Sequence, residues 1–597
     1  MNEHKQTRRG FLKSVCLGAA AIAVRNVPAS AARKNRPNVV IVITDDQGYG
    51  DLGATGNPII KTPNIDAMAQ RSGSMTNFYV HPVCAPTRAC LMTGRYNYRT
   101  RAIDTYVGRA MMESEETTLA EILRDVGYTT GIFGKWHLGD NYPMRPMDQG
   151  FSESLVHRGG GIGQPADPTG GEGKYTDPIL LDNGTLKPFK GYCTDIYFDR
   201  ALKWISKCVA GDKSFFAYIP TNAPHGPFHD VPEDLYRRYK KMNLGNEAFP
   251  QDKGHPLPAK SDQDKRARIF AMITNIDQNV GRLFEKLDDL GVTDNTIVIF
   301  MVDNGPNGRR YVAGMKGNKG DVHEGGIHSP FFFHWPGVVK PGHSSDLIAA
   351  HIDILPTILD ACRIRKPAEL KLDGRSLMPL LKGEPVKWTD RTIFIQAHRG
   401  DKPVLYHHFA ARSQQWKLLH ASGFGREGFE GKPKFELYDM AADPLEQKDL
   451  ANERPDVVER MRREYEAWFA DVSSTRPDNY DPPRIYIGTR HENPVVLTRQ
   501  DWRHIKDRPW APHSNGYWEL YAAKSGKYNI RLRFPKIDTE GTATLEFAGL
   551  KKVKEISSGQ QAIEFERISV KQGDCRLLAT LNFGETISGP WQVDVFW

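Results

Sequence analysis

Long apolar runs, metal-type cysteine pairs and a dominant charge are all missing from this sequence. The apolar run Val15 to Val24 falls well below the roughly 20 residues a membrane-spanning helix needs, and no other segment could cross a bilayer. No stable membrane anchor is therefore expected. Cysteine is scarce, at seven residues (Cys16, Cys84, Cys90, Cys193, Cys208, Cys362 and Cys575). None has the C-x-x-C spacing of a zinc site. Cys193 and Cys208 are the nearest candidate disulfide pair outside the Cys84 segment, with buried free thiols as the alternative. The formal charge is +8 over 597 residues. Residues 1–32 hold five basic side chains (Lys5, Arg8, Arg9, Lys13, Arg25) and one acidic (Glu3). The rest carries too little charge to argue for nucleic-acid binding, though it is compatible with an anionic substrate. Internal repeats and low-complexity tracts are absent too. What remains is an ordinary globular composition, 39% hydrophobic and 25% charged, long enough for two or three domains.

The N-terminus reads as an export signal. Thr7-Arg8-Arg9-Gly10-Phe11-Leu12-Lys13 resembles the bacterial twin-arginine pattern, the short apolar run follows, and Ala29-Ser30-Ala31 offers a small-x-small cleavage site. The expectation is a signal peptide over 1–32, a mature chain beginning near Ala32 or Arg33, the Tat translocon as partner, and a periplasmic or extracellular product. The alternative is a basic amphipathic tail.

Residues 36–375 alternate strand-like runs with helical patterns, which predicts an α/β fold with a mostly parallel central sheet flanked by helices. Expected strands are Asn38–Thr44, Thr129–Phe133, Phe215–Ile219, Thr296–Val302 and Pro330–His334; several are continuously apolar, as in strands buried on both faces. Expected helices are Asn64–Arg71, Thr118–Val126, Asp195–Cys208 and Lys265–Leu290, the last with apolar residues at helical spacing. The boundaries expected are a catalytic domain over 36–385, a small α+β subdomain over 386–475, a linker over 476–493 rich in Pro, Asp, Asn and Arg, and a terminal β-sandwich over 494–597.

Cys84-Ala85-Pro86-Thr87-Arg88 is the most informative segment. An irregular stretch, Gly73 to Val83, leads into it, and the residues after it continue like the start of a helix. A thiol at a helix N-terminus faces unpaired backbone N–H groups and the positive end of the dipole. Arg88, one turn on, can point back at the same spot. That grouping suits a tetrahedral oxyanion; a small buried Cys with a surface Arg is the plain alternative. Polar residues also gather where strands end, the edge at which open parallel sheets bind ligands. Asn38–Thr44 runs into Asp45-Asp46, and Thr296–Val302 into Asp303-Asn304-Gly305. Thr129–Phe133 runs into Gly134-Lys135-Trp136-His137, and Phe215–Pro220 into Thr221-Asn222-Ala223-Pro224-His225. Each ending alone could be a helix cap or a turn. Together, Asp45, Asp46, Asp303 and Asn304 are hard oxygen donors suited to Ca²⁺ or Mg²⁺. Lys135, His137, His225 and a further Lys could bind ester oxygens and move protons.

Over roughly residues 36–470 the chain resembles the type I sulfatases of the alkaline-phosphatase superfamily. The resemblance rests on Cys84–Arg88 with Thr93-Gly94-Arg95, the strand-Asp-Asp start, Gly127–Gly139, Val302–Gly305, and Gly317-Asn318-Lys319-Gly320 followed by Glu324-Gly325-Gly326. It implies an alkaline-phosphatase-like fold and oxidation of Cys84 to formylglycine by a maturation enzyme, its hydrated form being the nucleophile. It further implies one Ca²⁺, rather than Mg²⁺, held by Asp45, Asp46, Cys84, Asp303 and Asn304. Asp303 would be a plausible base, and His225 and Lys319 would bind sulfate and help the alcohol leave. His137 would then take a proton from the sulfated residue 84 and expel sulfate, with Arg88 and Lys135 holding that residue and its charge. His328 stands where the family commonly has Arg; it and His323 are structural or line the mouth. Lys319 is preferred over Lys316 as the sulfate contact.

The expected activity is hydrolysis of a sulfate ester, of a sulfated carbohydrate or an aryl sulfate, with a sulfated small molecule or polysaccharide as the partner. A phosphonate or phosphate monoester hydrolase and a non-catalytic sulfated-glycan-binding protein are the alternatives. Specificity is expected in loops 95–115, 139–175, 227–260 and 398–430. Trp502, Trp510, Trp518 and Trp591 are either core or a sugar-stacking surface. Asn515–Phe534 resembles the C-terminal extension of some bacterial, notably planctomycete-type, sulfatases.

Overall fold

A buried run of five apolar residues flanked by Asn38 and Thr44, Asn38–Thr44 (β1), occupies the middle of a ten-stranded sheet. The computed structural model describes residues 36–168, 173–477, 480–506 and 509–597, so the export signal expected over 1–32 lies outside the described residues. The other strands of this sheet are β2 (Gly73–Met75), β3 (Thr129–Lys135), β4 (Glu153–His157), β5 (Ile179–Asp182), β6 (Thr185–Pro188), β7 (Phe215–Pro220), β8 (Thr296–Val302), β9 (Phe331–His334) and β10 (Ser344–Ser345). Their order is β10-β2-β9-β8-β1-β7-β3-β4-β5-β6. The central five, β8-β1-β7-β3-β4, pair in parallel; β9 and β5 pair antiparallel at either side of them. The sheet is the mostly parallel α/β core the sequence predicts.

Parallel strands covered on both faces lose their alternation. Val39 to Ile43 and Ile297 to Val302 are almost wholly buried, splitting by parity between two apolar cores, one on each face. Each such side chain contributes about 1.5–3 kcal/mol by leaving water. Helices α2 (Cys193–Ala210) and α3 (Gln263–Asp289) cover one face. Cys193 and Cys208 are both free and both on α2. At about 1.5 Å per residue along a helix, their separation far exceeds the reach of a disulfide, which corrects the candidate pairing.

Helix α1 (Cys84–Thr93) begins where the motif predicts. Val83 before it is extended, Pro86 falls in the first turn where its missing N–H costs nothing, and Gly94 at φ 65° closes it with its N–H on the Cys90 carbonyl. The approach differs from expectation. Gly73–Met75 is a sheet strand and Phe78–Tyr79 pairs with Ala349–Ala350, so this segment is tied down on two sides.

A four-stranded antiparallel sheet (Ile393–Gln396, Phe409–Arg412, Trp416–His420, Glu436–Asp439) packs with helix α4 (Pro455–Ser473). Two further sheets, of seven and four strands, build the C-terminal β region from Ile485 onward. Asn515–Ala522 alternates buried and half-buried positions along its length, the mark of a sheet with one face on a core. Trp502 and Trp518 lie inside that core. Trp510 is half-buried and Trp591 exposed, so a sugar-stacking role is left only to the last two. Among the described residues, no helix is long and apolar enough to cross a membrane.

Candidate active site

The carboxyl ends of β1 and β8 lie side by side, Thr44 level with Val302. Asp45-Asp46 and Asp303-Asn304 therefore emerge together at the sheet's rim, and the first turn of α1 brings Cys84 against them. Ligand atoms of Asp45, Cys84 and Asp303 all lie within 4.8 Å of one another, and all three residues are buried. Asp46 takes a left-handed backbone, φ 63°. Its own N–H reaches the Asp303 carboxylate at 3.2 Å, while its Oδ1 accepts from the Asn304 amide at 2.9 Å.

Cationic side chains close in from three other elements. Lys135, the last residue of β3, sets its Nζ 2.5 Å from Asp45 Oδ2. Arg88, one turn along α1, grips Asp303 Oδ2 through Nη2 at 2.8 Å and Nε at 3.2 Å, and gives Nη1 to the Lys135 carbonyl at 2.9 Å. Lys319 places Nζ 2.5 Å from Asp46 Oδ1. Lys316 instead faces Glu436 at 3.4 Å, outside this cluster. His328 is held between Glu324 (3.2 Å) and the Thr76 carbonyl (2.6 Å), and His323 faces Glu436 at 3.6 Å; both have structural partners.

His225 follows β7. Its Nδ1 lies 2.7 Å from the Gly226 carbonyl, so Nδ1 carries the hydrogen and Nε2 faces Asp46 Oδ2 at 3.6 Å. His137, at φ 60°, sets Nε2 2.8 Å from the Thr105 carbonyl, so its Nδ1 is the free lone pair. That Nδ1 is buried without a partner. Two glycines were not singled out in the sequence. A side chain on Gly160 would strike His137 Nε2 at 2.6 Å, and one on Gly161 would strike His225 Cε1 at 2.8 Å. The three-glycine run Gly159-Gly160-Gly161 was the available signal, since backbone that approaches a side chain this closely cannot carry a Cβ.

The electrostatics follow from burial and these neighbours. Burial alone would raise the Asp45 carboxyl, but Lys135, with His225 and Arg88, brings it below its ordinary value. Burial acts likewise on Asp46 and is outweighed by Lys319 and His225. Asp303 is pushed up to about 7 by burial and by the charge of Asp45, against the pull of Arg88. Burial holds both His137 and His225 below the ordinary histidine value, so both imidazoles are neutral at pH 7. Burial also raises the Cys84 thiol, which makes the unmodified residue a poor thiolate.

Three cations balance three carboxylates here, so net charge alone does not call for an ion. Unpaired oxygens do. Asp45 Oδ1, Asp46 Oδ2 and Asn304 Oδ1 are buried without a hydrogen-bond partner, and a buried oxygen left so costs on the order of 1–3 kcal/mol. Oxygen donors from two carboxylates and an amide, with Asp303 beside them, match the preferences of Ca²⁺ or Mg²⁺. The residues present fit such an ion.

At the mouth, the Arg399 guanidinium lies 4.2 Å from the Tyr106 ring centroid and 4.3 Å from that of Phe424. It also pairs with Asp104 at 2.5 Å. These side chains come from the 95–115 and 398–430 loops.

A buried cysteine at a helix start, oxygens that fit a hard cation and two neutral histidines at one sheet edge suit a hydrolase of anionic esters. The chain belongs to the sulfatase family, whose profile matches residues 37–364, and it is a sulfuric ester hydrolase. A second profile, N-sulphoglucosamine sulphohydrolase, C-terminal, matches residues 318–469. Among relatives, arylsulfatase A of Homo sapiens is 30% identical over 75% of this chain and 90% of its own length. N-acetylgalactosamine-6-sulfatase of Homo sapiens is 31% identical over 61% of this chain and 69% of its own. The solved structure of Ps i-CgsB in complex with k-i-k-neocarrahexaose superimposes with a TM-score of 0.62 at 26% identity, covering 74% of this chain and 94% of that one.

Proposed function

We propose that this chain is an exported, calcium-dependent sulfatase of sulfated carbohydrates that works through a formylglycine at position 84. The observation that carries the reading is the set of unpaired buried oxygens, Asp45 Oδ1, Asp46 Oδ2 and Asn304 Oδ1, gathered beside Cys84. Asp45, Asp46, Asp303, Asn304 and residue 84 would hold the ion. Bound there, Ca²⁺ would polarise the ester and steady residue 84. Oxidised to formylglycine, residue 84 would present a hydrated aldehyde as nucleophile. The raised thiol of the unmodified residue supports this over a thiolate phosphatase.

The remaining roles fall to the chain's own side chains. Arg88 fixes Asp303 and, through the Lys135 carbonyl, the end of β3. Lys135 and Lys319 supply positive charge on opposite sides of the pocket, where the charge of a sulfuryl group would develop. His225 points Nε2 into the pocket beside Asp46; neutral beforehand, it would take up a proton there as the anionic ester binds and give it to the departing alcohol. His137 keeps Nδ1 free to take a proton when sulfate is expelled from residue 84. Carbohydrate as the substrate class draws support from relatives named for N-acetylgalactosamine-6-sulfate and from the neighbour bound to a neocarrahexaose. Export draws support from the twin-arginine-like segment.

Intact-mass and peptide analysis of the exported protein tests the reading. The expected result is cleavage near Ala32 and an aldehyde in place of the Cys84 thiol. Aryl sulfate is expected to turn over far faster than the matched aryl phosphate, and Cys84→Ala to lower kcat by about 10⁵-fold. An unmodified thiol in an active enzyme would reject the mechanism; phosphate preference would favour the phosphonate or phosphate hydrolase instead.

A further inference from the structure

The C-terminal β region reaches the backbone that holds His137. Gln500, in the bend between strands Val495–Thr498 and Arg503–Lys506, is almost wholly buried. Its Nε2 donates to the Thr105 carbonyl at 2.8 Å, the same oxygen that accepts from His137 Nε2 at 2.8 Å. The residues around it fix it from both ends. Its carbonyl accepts from the Gly108 N–H at 3.4 Å, and its N–H rests on Thr498 Oγ1 at 3.4 Å. Its side chain packs on Gly159, where an added Cβ would come within 3.5 Å of Gln500 Cγ and Oε1. Gly160 and Gly161, the next two residues, lie against the rings of His137 and His225. Arg503 donates to the Val107 carbonyl and Trp510 packs edge-on against Tyr106 with ring centroids 5.2 Å apart, so loop 104–108 is held along its length. Gln500 lies outside both matched profiles, which end at 364 and 469.

We infer that Gln500 is a positioning residue for the sulfatase reaction: its amide fixes the Thr105 carbonyl, which fixes the tautomer and rotamer of His137. The inference rests on the proposed role of His137. Two donors on one carbonyl define its direction, whereas one donor lets it follow the ring. With the carbonyl fixed, His137 Nε2 stays the protonated nitrogen and Nδ1 the lone pair turned to chemistry. Misplacing a catalytic group by about 1 Å can cost up to a hundredfold in rate, and a hydrogen bond lost one residue removed costs less.

Gln500→Met keeps the length of the side chain and removes the donor; Gln500→Ala serves if the first variant folds poorly. On a small aryl sulfate that cannot reach the outer loops, the expected result is a kcat lower by about tenfold with KM unchanged. In a His137→Ala background, the Gln500 substitution should cost nothing further, because its effect passes through the ring. Wild-type kcat in Gln500→Met, or an undiminished loss in the His137→Ala background, would overturn the inference. A crystal structure of Gln500→Met separates this from the role of His137. If His137→Ala proves fully active, the base assignment falls. A shifted Thr105 carbonyl and imidazole would then still support the positioning contact, and an unmoved ring would overturn it.

Discussion

Two buried charge clusters in this molecule look alike in composition and differ in closure. One is the pocket of Asp45, Asp46, Asp303 and Asn304 with Lys135, Lys319 and Arg88. The other lies between the Glu324 turn and the four-stranded sheet, where Lys417 Nζ is 2.9 Å from Glu324 and 2.7 Å from Glu446. There Glu324 Oε2 also takes His328 at 3.2 Å and the Tyr79 hydroxyl at 3.1 Å, and Glu446 Oε2 accepts the Glu324 N–H at 2.9 Å. Three of the four carboxylate oxygens of that cluster accept a hydrogen bond, and the fourth, Glu446 Oε1, has Lys417 Nζ at 2.7 Å. In the first cluster three oxygens have no hydrogen-bond partner. Lys417 closes the second cluster as a structural ion-pair network, whereas the oxygens beside Cys84 are left for something else to bind. Charge counting alone would miss the difference.

The comparison can be broken by exchanging the expected phenotypes. Asp303→Asn should cut kcat by about 10³-fold while the fold persists, since the amide oxygen can keep both bonds from Arg88 even though the Asp46 N–H loses its acceptor. Lys417→Met should do the reverse. Removing one partner from a buried network costs about 3–5 kcal/mol of stability, seen as a lower urea midpoint, while the folded fraction keeps its kcat. A Lys417 variant that loses catalysis at full stability would erase the distinction.

A smaller effect sharpens it at the lysines. Lys319→Met is expected to lower kcat by about 10²-fold. Lys316→Met, three residues away and paired with half-buried Glu436, should stay within about twofold, a surface pair being worth under about 1 kcal/mol. Steady-state rates on one aryl sulfate compare the two.

The smallest effect is in the pH dependence of stability. Burial would raise the Glu324 carboxyl, but Lys417, with His328, holds it well below its ordinary 4.5. A depressed carboxyl contributes stability that is complete above the unfolded value and lost as the pH falls below it. Urea midpoints should therefore decline from about pH 5 downward, and Lys417→Met should flatten that decline. An unchanged slope in the variant would assign the acid sensitivity elsewhere.

Much of this was legible in the chain. The continuous apolar runs of β1 and β8, each followed by acidic residues, pointed to the sheet and to the carboxylates proposed to hold a cation, because parallel strands deliver their carboxyl ends to one rim. The start of α1 could be read from Pro86 and Gly94 around Cys84. Other features left no trace in residue type. His137 is held by the backbone carbonyl of Thr105, and any residue at 105 would offer the same oxygen. Gln500 meets that carbonyl from 395 residues away, across two folding elements with no shared pattern. The Cys193–Cys208 pairing failed because spacing in sequence says nothing about direction once both lie on one helix.

Calcium dependence is the most direct test of the pocket at residue 84. Protein stripped of metal by a chelator should hydrolyse aryl sulfate at a negligible rate, and activity should return in proportion to added Ca²⁺ until one ion is bound per chain. Full activity in the metal-free protein would contradict an oxygen-lined cation pocket at Asp45, Asp303 and residue 84.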